Sequence, residues 1–366
     1  MLFSLSPKRR REELFNREKE LDMLFSAVDK GRIVILDGLR RIGKTSLLRV
    51  FLEESNNYHI FIDCRAFMKN GLIDIQAFDR NLLENIQQTL KKGKLSRLLD
   101  MLSSISVSGV QISFNNRGTI SNLASILEKI NNSLKKKKFV LAFDEAQYLK
   151  FYGRGGKDFL NLLAYVYDNL ENIVFILTGS EVGLLHDFLR VDDPNEPLYG
   201  RFMNEITLER FSRDKSLEFL AAGFKEAGIE ISGTTLEKAV DRLDGIVGYL
   251  SMYGYISCER TGISPDDSLE KATEMAMNLV KQEIQALVDR SSNYGYVLKA
   301  ISFEINRYSK IKEFIELNHG RISDPTLSKI LNSLVKQSFI GISYHKSMKS
   351  YFIPDPIVKL VCRELD

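Results

Sequence analysis

The 366-residue sequence has no tryptophan, three cysteines, four histidines and seven prolines, and no apolar run near the roughly 18 residues that a membrane-spanning helix needs. Each scarcity closes off a class of protein. Cys64, Cys258 and Cys362 lie far apart with no CxxC pair, so neither a zinc site nor a disulfide framework is indicated, and a reducing cytoplasm fits. His186 and His345 stand without metal-ligand companions in the sequence, and neither is assigned a catalytic role. With 44% hydrophobic and 27% charged residues, the composition is that of an ordinary folded chain rather than a disordered one. The start, MLFSLSPKRRREELF, has few apolar residues before its basic cluster, the reverse of a signal peptide, so a cytoplasmic protein without membrane insertion is expected. Positive charge is in small surplus: +3 overall, with a pI near 8.5. That is too weak to mark a nucleic-acid binder, and Lys8 to Arg11 (KRRR) reads as a solvated face.

What is present is a regular alternation of apolar runs and helical patterns. RREELFNREKELDMLFSAV, from Arg10 to Val28, reads as one or two amphipathic helices. Five apolar runs, RIVILDG, YHIFIDC, FVLAFDEAQYL, NIVFILTGS and EITLERF, are separated by helical stretches, which predicts an α/β fold: a parallel sheet covered on both faces. Ser103 to Gly118 alternates polar and apolar residues between glycines and reads as a hairpin or insertion. Ser212 to about Leu287 is helical in pattern. From Tyr296 three short helical segments precede FIGISYHKSMKSYFI, two β-rich runs around a polar turn, the pattern of a winged helix closed by a helix starting at Pro356. At this length more than one core is expected, and the chain divides into residues 1–210, 211–287 and 288–366.

The strongest chemical signal is DGLRRIGKTSLL. Gly38, Gly43, Lys44 and Thr45 fit GxxxxGK[ST], placed between a predicted strand and a predicted helix. Glycines let the loop Gly38, Leu39, Arg40, Arg41, Ile42, Gly43 curl so that its N–H groups face phosphate oxygens, and the helix opening at Lys44, Thr45 and Ser46 adds its positive end. Lys44 suits the β- and γ-phosphates, and the Thr45 hydroxyl suits Mg²⁺. Arg40 and Arg41 are read primarily as solvent-facing charges, with phosphate contact as the alternative. Asp144 and Glu145 follow a hydrophobic strand at the edge where parallel sheets bind ligands. There Asp144 is a candidate Mg²⁺ ligand and Glu145 a candidate base for an attacking water. The polar strand end at Thr178, Gly179 and Ser180 is a candidate γ-phosphate sensor.

Together GLRRIGKTSLL, VLAFDEAQYL, ILTGS, PLYGRF and the terminal winged-helix pattern resemble the archaeal ATPase family of the STAND class, relatives of the AAA+ and Orc/Cdc6 proteins. The resemblance implies a P-loop NTPase sheet, a helical lid and a winged helix, with ATP or ADP and Mg²⁺ as ligands. It implies an adenine-holding hydrophobic-GRE element, matched by Phe15, Arg17 and Glu18 with Asn16 in place of glycine. It further implies a sensor matched by Thr178 and an arginine finger matched by Arg201, in its own site or a neighbour's. The GxP element of the lid reads DGIVGYL, with Val247 in place of proline.

The implied function is ATP hydrolysis driving a conformational switch passed to a winged helix that binds DNA or protein, with Lys329, Lys336, Lys346 and Lys349 as its available cations. The rival is a slowly hydrolysing, ATP-dependent DNA-binding regulator. A small-molecule kinase fits less well, because a glutamate beside Asp144 suits activation of water.

Overall fold

The computed structural model describes residues 1–92, 119–153, 155–259 and 263–365. The expected hairpin or insertion over 103–118 lies outside them. All five apolar runs form strands: β1 (Ile33–Gly38), β2 (Tyr58–Asp63), β5 (Phe139–Asp144), β6 (Ile173–Gly179) and β7 (Asn204–Leu208). A short hairpin, β3 (Met68–Lys69) and β4 (Leu72–Ile73), lies between the second and third of them; its two-residue strands are too brief to leave a periodic signal. The main sheet is parallel throughout, in the order β2-β5-β6-β1-β7. Its register aligns Asp63 with Asp144, Asp37 with Gly179, and Gly38 with Leu208, so the chemistry-bearing strand ends share one edge.

Both faces of the central strands β1, β5 and β6 are dry, which is why they read as continuous apolar runs, whereas the edge strands β2 and β7 alternate buried residues with more exposed ones. Ile33, Ile35, Leu141, Phe143 and Phe175 point into one core with the helices Ile75–Lys92, Thr119–Ser133 and Lys157–Asn169. Val34, Leu36, Val140 and Ile176 point into the other, with Leu21 and Leu24 of the Glu18–Lys30 helix and Leu47, Leu48 and Phe51 of the Lys44–Glu54 helix. The one or two helices expected from Arg10 to Val28 resolve into a 3-10 turn and a helix that begins at Glu18. Asn16 adopts a left-handed conformation (φ 50°) after a single 3-10 turn at Arg11–Glu13, and that break starts the helix anew.

The second core continues without interruption into the C-terminal half. Four helices follow β7: Arg213–Glu226, Gly233–Leu243, Val247–Glu259 and Pro265–Val288. Their Phe219, Leu243, Tyr249 and Ile284 join the same apolar cluster as Leu331 and Val361 further on. The winged helix comprises Asn293–Ser302, Tyr308–His319 and Asp324–Lys336, the antiparallel wing strands β8 (Gly341–His345) and β9 (Met348–Phe352), and the closing helix Pro356–Arg363. Local chemistry sets the starts. Ser264 and Ser323 cap helices with proline in the first turn, and Asp355 caps the closing helix through the N–H groups of Ile357 and Val358. Asp355 also accepts a hydrogen bond from Tyr249 at 2.9 Å, tying the winged helix to the preceding helical unit.

Candidate nucleotide site

β1 delivers the chain to the sheet edge at Asp37 and turns it at Gly38. Gly38 has φ +132°, and a Cβ there would meet the Leu208 carbonyl oxygen at 2.5 Å, so two independent constraints demand glycine. Arg41 (φ 62°) and Gly43 (φ +101°) complete the curl, and the helix starts at Lys44. The loop opens onto a cavity of about 310 Å³ lined by Phe15, Arg17, Gly43, Lys44, Thr45 and Glu145, among others.

Within this cradle the predicted phosphate-binding groups converge. The Lys44 ammonium, with the residue only 5% exposed, donates to the carbonyls of Gly38 (2.9 Å) and Leu39 (2.7 Å), the loop's own oxygens. Burial pushes its pKa down to about 8, partly offset by Glu145, Asp144 and Asp37. Thr45 donates to Asp144 Oδ2 at 2.8 Å, and Thr178 donates to Oδ1 of the same carboxylate, so Asp144 joins the phosphate loop to the tip of β6. Asp144 is almost wholly buried, and that burial raises its pKa against the two hydroxyl donors.

Glu145 leaves β5 in a left-handed conformation (φ 54°), a strained position that turns its side chain back toward the loop. Its Oε2 accepts hydrogen bonds from Gln147 Nε2 (2.7 Å), Ser180 Oγ (2.7 Å) and Ser180 N (3.2 Å), while Arg65 stands 4.0 Å from Oε1. Burial raises the carboxyl's pKa, but Lys44, these donors and Arg65 outweigh it, and the net shift is downward. Glu145 is therefore an ionised acceptor at neutral pH.

The remaining sequence candidates divide. Phe15 is edge-on to Phe211 and Phe219 and forms an apolar wall of the cavity. Arg17 is buried; it pairs with Glu20, donates to the carbonyls of Glu209 (2.7 Å) and Ile42 (3.4 Å), and lies over Phe211, so its guanidinium braces the loop. Asn16 supplies the left-handed turn between them, which explains how it stands in for glycine. Ser46 accepts from the Lys8 backbone at 3.1 Å, and Val247, at the first position of its helix where proline is common, lines the cavity beside Gly43.

Arg201 is not brought to this site. It precedes β7 by three residues, at the amino edge of a parallel sheet whose carboxyl edge carries the phosphate loop, and it pairs with Asp168. Roughly five residues of strand, about 16 Å, separate the two edges.

Two readings from sequence need correction. Arg40 and Arg41 are not solvent-facing: both are about three-quarters buried and share Glu283 of the Pro265–Val288 helix, at 2.8 and 2.6 Å. Arg40 also pairs with Glu181 and lies over Phe339 of the winged helix, while the Arg41 carbonyl accepts from Gly248 N. The basic run Lys8 to Arg11 is largely solvated, as expected, with Arg9, Arg10 and Arg11 exposed. Arg9 and Arg11 pair with Glu53 and Glu54, and the Lys8 ammonium caps the carbonyls of Met1, Leu2 and Ser4. His186 does have companions: Glu205 at 3.0 Å and Asp37 at 3.8 Å.

Sequence reasoning missed Arg65, Gln147 and Glu283. Arg65 had a usable signal, a basic residue immediately after a buried strand at the ligand edge. Glu283 had none, being one glutamate on a long amphipathic helix.

A P-loop sheet carrying this site beside a helical unit and a winged helix defines the class, a P-loop ATPase with a C-terminal winged helix. The chain belongs to the family of ATPase domains found predominantly in Archaea, whose model matches residues 14–253; residues 289–351 match the C-terminal winged helix-turn-helix domain of MCM proteins. It is similar in structure to the Walker-type ATPase PABY2304 of Pyrococcus abyssi, at 37% identity and TM-score 0.83, over 99% of this chain and 100% of that one. Weaker likenesses include the Aeropyrum pernix Orc1 protein in complex with DNA (15% identity, TM-score 0.44, covering 96% of this chain and 93% of that one). The Thermotoga maritima RuvB Holliday junction branch migration motor is comparable (14% identity, TM-score 0.44, 99% and 100%). No curated protein matches the chain. No helix among the described residues is long and apolar enough to cross a membrane.

Proposed function

We propose that the protein hydrolyses ATP with Mg²⁺ and uses the nucleotide state to control how its winged helix is docked. One observation carries the reading: Lys44, Thr45, Asp144 and Glu145 converge at a single buried sheet edge, beneath a left-handed glycine cradle. The residues fit the ligand. Lys44 holds a buried positive charge on carbonyl oxygens that phosphate oxygens would replace, and Asp144 is poised with Thr45 as a magnesium-binding pair. When bound, Mg-ATP supplies a γ-phosphoryl group open to attack by water, with the metal offsetting its negative charge. Glu145 then orients that water and accepts its proton, once released from Ser180 and Gln147. Thr178, bonded to Asp144 and to the Glu145 N–H, reports changes in either carboxylate to β6.

The output runs through the outer side of the loop. Arg40 and Arg41 are gripped by Glu283, Glu181 and Phe339, so any displacement of the loop by phosphate pulls on the lid and the winged helix. The end of the third winged-helix helix is docked on the Val182–Leu189 helix. Lys336 pairs with Asp187 at 2.6 Å, Val182 N donates to Ser338 Oγ at 3.2 Å, and a Cβ on Gly183 would meet Lys336 Cα at 2.6 Å. Undocking frees that surface for DNA or a protein. We read residues 1–210 as the ATPase core, 211–287 as the lid and 288–366 as the output module. We place the chain with the STAND and AAA+ groups. Arg201 acts on phosphoryl charge only in a neighbouring subunit, if such an assembly forms.

The slow-turnover regulator is favoured by one feature, the three hydrogen bonds that hold Glu145 Oε2 away from free attack. Steady-state turnover separates the two. In the Glu145→Gln variant, hydrolysis falls about 10²- to 10⁴-fold while ATP affinity is kept. Negligible wild-type turnover with ATP-dependent DNA retention supports the regulator, and failure of the protein to bind Mg-ATP refutes both.

A further inference from the structure

Asp37 is the penultimate residue of β1, just before the phosphate loop, yet it does not line the nucleotide cavity. It is 1% exposed, and its Oδ1 has no hydrogen-bond partner, a costly state for a carboxylate oxygen in the interior. The sheet register explains what surrounds it. Asp37 pairs with Thr207 across β1 and β7, so Glu205, two residues earlier on β7, lies diagonally on the same face. The Val182–Leu189 helix covers that face and brings His186 over both carboxylates.

The three ligand atoms, one each from Asp37, His186 and Glu205, all lie within 4.8 Å of one another. His186 Nε2 is 3.0 Å from Glu205 Oε1 and 3.8 Å from Asp37 Oδ2. Ligands on a small divalent ion, each at about 2.0–2.2 Å, sit roughly 3.0–3.6 Å apart, so the cluster needs only slight adjustment to close on one. His186 (38% exposed) and Glu205 (44%) leave an entry path from solvent, while Asp37 forms the floor.

We propose that Asp37, His186 and Glu205 bind a divalent transition-metal ion, separate from the nucleotide's Mg²⁺. One imidazole and two carboxylates favour zinc, cobalt or manganese over magnesium or calcium, which prefer oxygen donors alone. The ion takes Asp37 through the carboxylate that faces His186 and cross-links β1, β7 and the helix after β6. It thereby stiffens the strand end at Gly38, whose carbonyl holds Lys44. None of these residues lines the nucleotide cavity, so the site stands or falls independently of ATP hydrolysis.

The test uses the full chain, stripped with chelator and free of nucleotide, titrated with Co²⁺ and followed by visible absorption and metal content. The expected result is one equivalent of Co²⁺ with a d–d band, and binding at least about tenfold weaker in His186→Ala and in Glu205→Gln. Asp144→Asn, altered at the nucleotide's own metal site, keeps the band. Circular dichroism and ADP binding confirm that each variant is folded; Glu205→Gln, at a half-exposed position, serves if His186→Ala is not. No band in the wild-type protein, or undiminished binding in the folded variants, overturns the proposal. So does loss of the band in Asp144→Asn alone, which would place the ion at the nucleotide site.

Discussion

The two halves of the phosphate loop are built alike and used differently. Lys44 and Thr45 turn inward, onto the loop's own carbonyls and Asp144. Arg40 and Arg41, three or four residues earlier, turn outward onto Glu283, Glu181, Phe339 and Tyr249. Four cationic or hydroxyl side chains within six residues therefore serve two surfaces. The inner pair faces the space where phosphate belongs, and the outer pair is already neutralised by protein carboxylates. A charge in a phosphate loop is thus not by itself a phosphate ligand; the position of its partner decides.

This division can be broken at either end. The largest effect is expected at Lys44: Lys44→Ala removes a charge-assisted contact to phosphate and weakens nucleotide binding about 10- to 150-fold by titration calorimetry. Arg40→Ala leaves affinity within about threefold, since its guanidinium is held by Glu181 and Glu283 and not by the phosphates. If the two variants bind equally poorly, the division is wrong. Next comes Gly248, whose added Cβ would sit 2.8 Å from Arg41 Cβ and 2.9 Å from its carbonyl oxygen. Gly248→Ala wedges the lid from the outer half and costs about 1–3 kcal/mol in denaturant unfolding. Glu283→Gln removes the carboxylate charge shared by Arg40 and Arg41; with all three groups about three-quarters buried it costs about 1–2 kcal/mol in the same measurement.

The smallest effect is a proton. In the free protein Lys44 loses its proton near pH 8, against an ordinary value of 10.5. Bound phosphates favour the charged form and raise that value, so near pH 9 nucleotide binding takes up a fraction of a proton, and near pH 6.5 this group takes up none. Calorimetry in buffers of different ionisation enthalpy measures the uptake. Lys44→Arg, which stays charged, abolishes it, whereas uptake that persists there belongs to another group.

Much of the site was legible in sequence because its chemistry is local. GLRRIGKTSLL and FDEAQ each sit at a strand end, and a buried parallel strand announces itself by an unbroken apolar run. Whereas the caps at Ser264 and Ser323 emerge only from the structure, the start of the closing helix at Pro356 was equally readable. Contacts between distant segments were not. Arg40 meets Glu283 across 243 residues, and His186 meets Asp37 and Glu205 only because strand register and one helix bring them together. No spacing rule in the chain encodes such pairings. Arg201 differs: its motif context was visible, but the edge of the sheet on which it sits, away from its own chain's phosphate loop, emerges only from the strand directions.

The coupling of the two halves is tested most directly at the Val182 amide, which donates to Ser338 Oγ across the junction between the ATPase core and the winged helix. Its hydrogen exchange is measured with and without saturating Mg-ATP. Displacement of the loop by phosphate predicts slow exchange in the free protein, faster exchange with nucleotide, and no change in Lys44→Ala. Protection that is the same with and without bound nucleotide in the wild-type protein would contradict it.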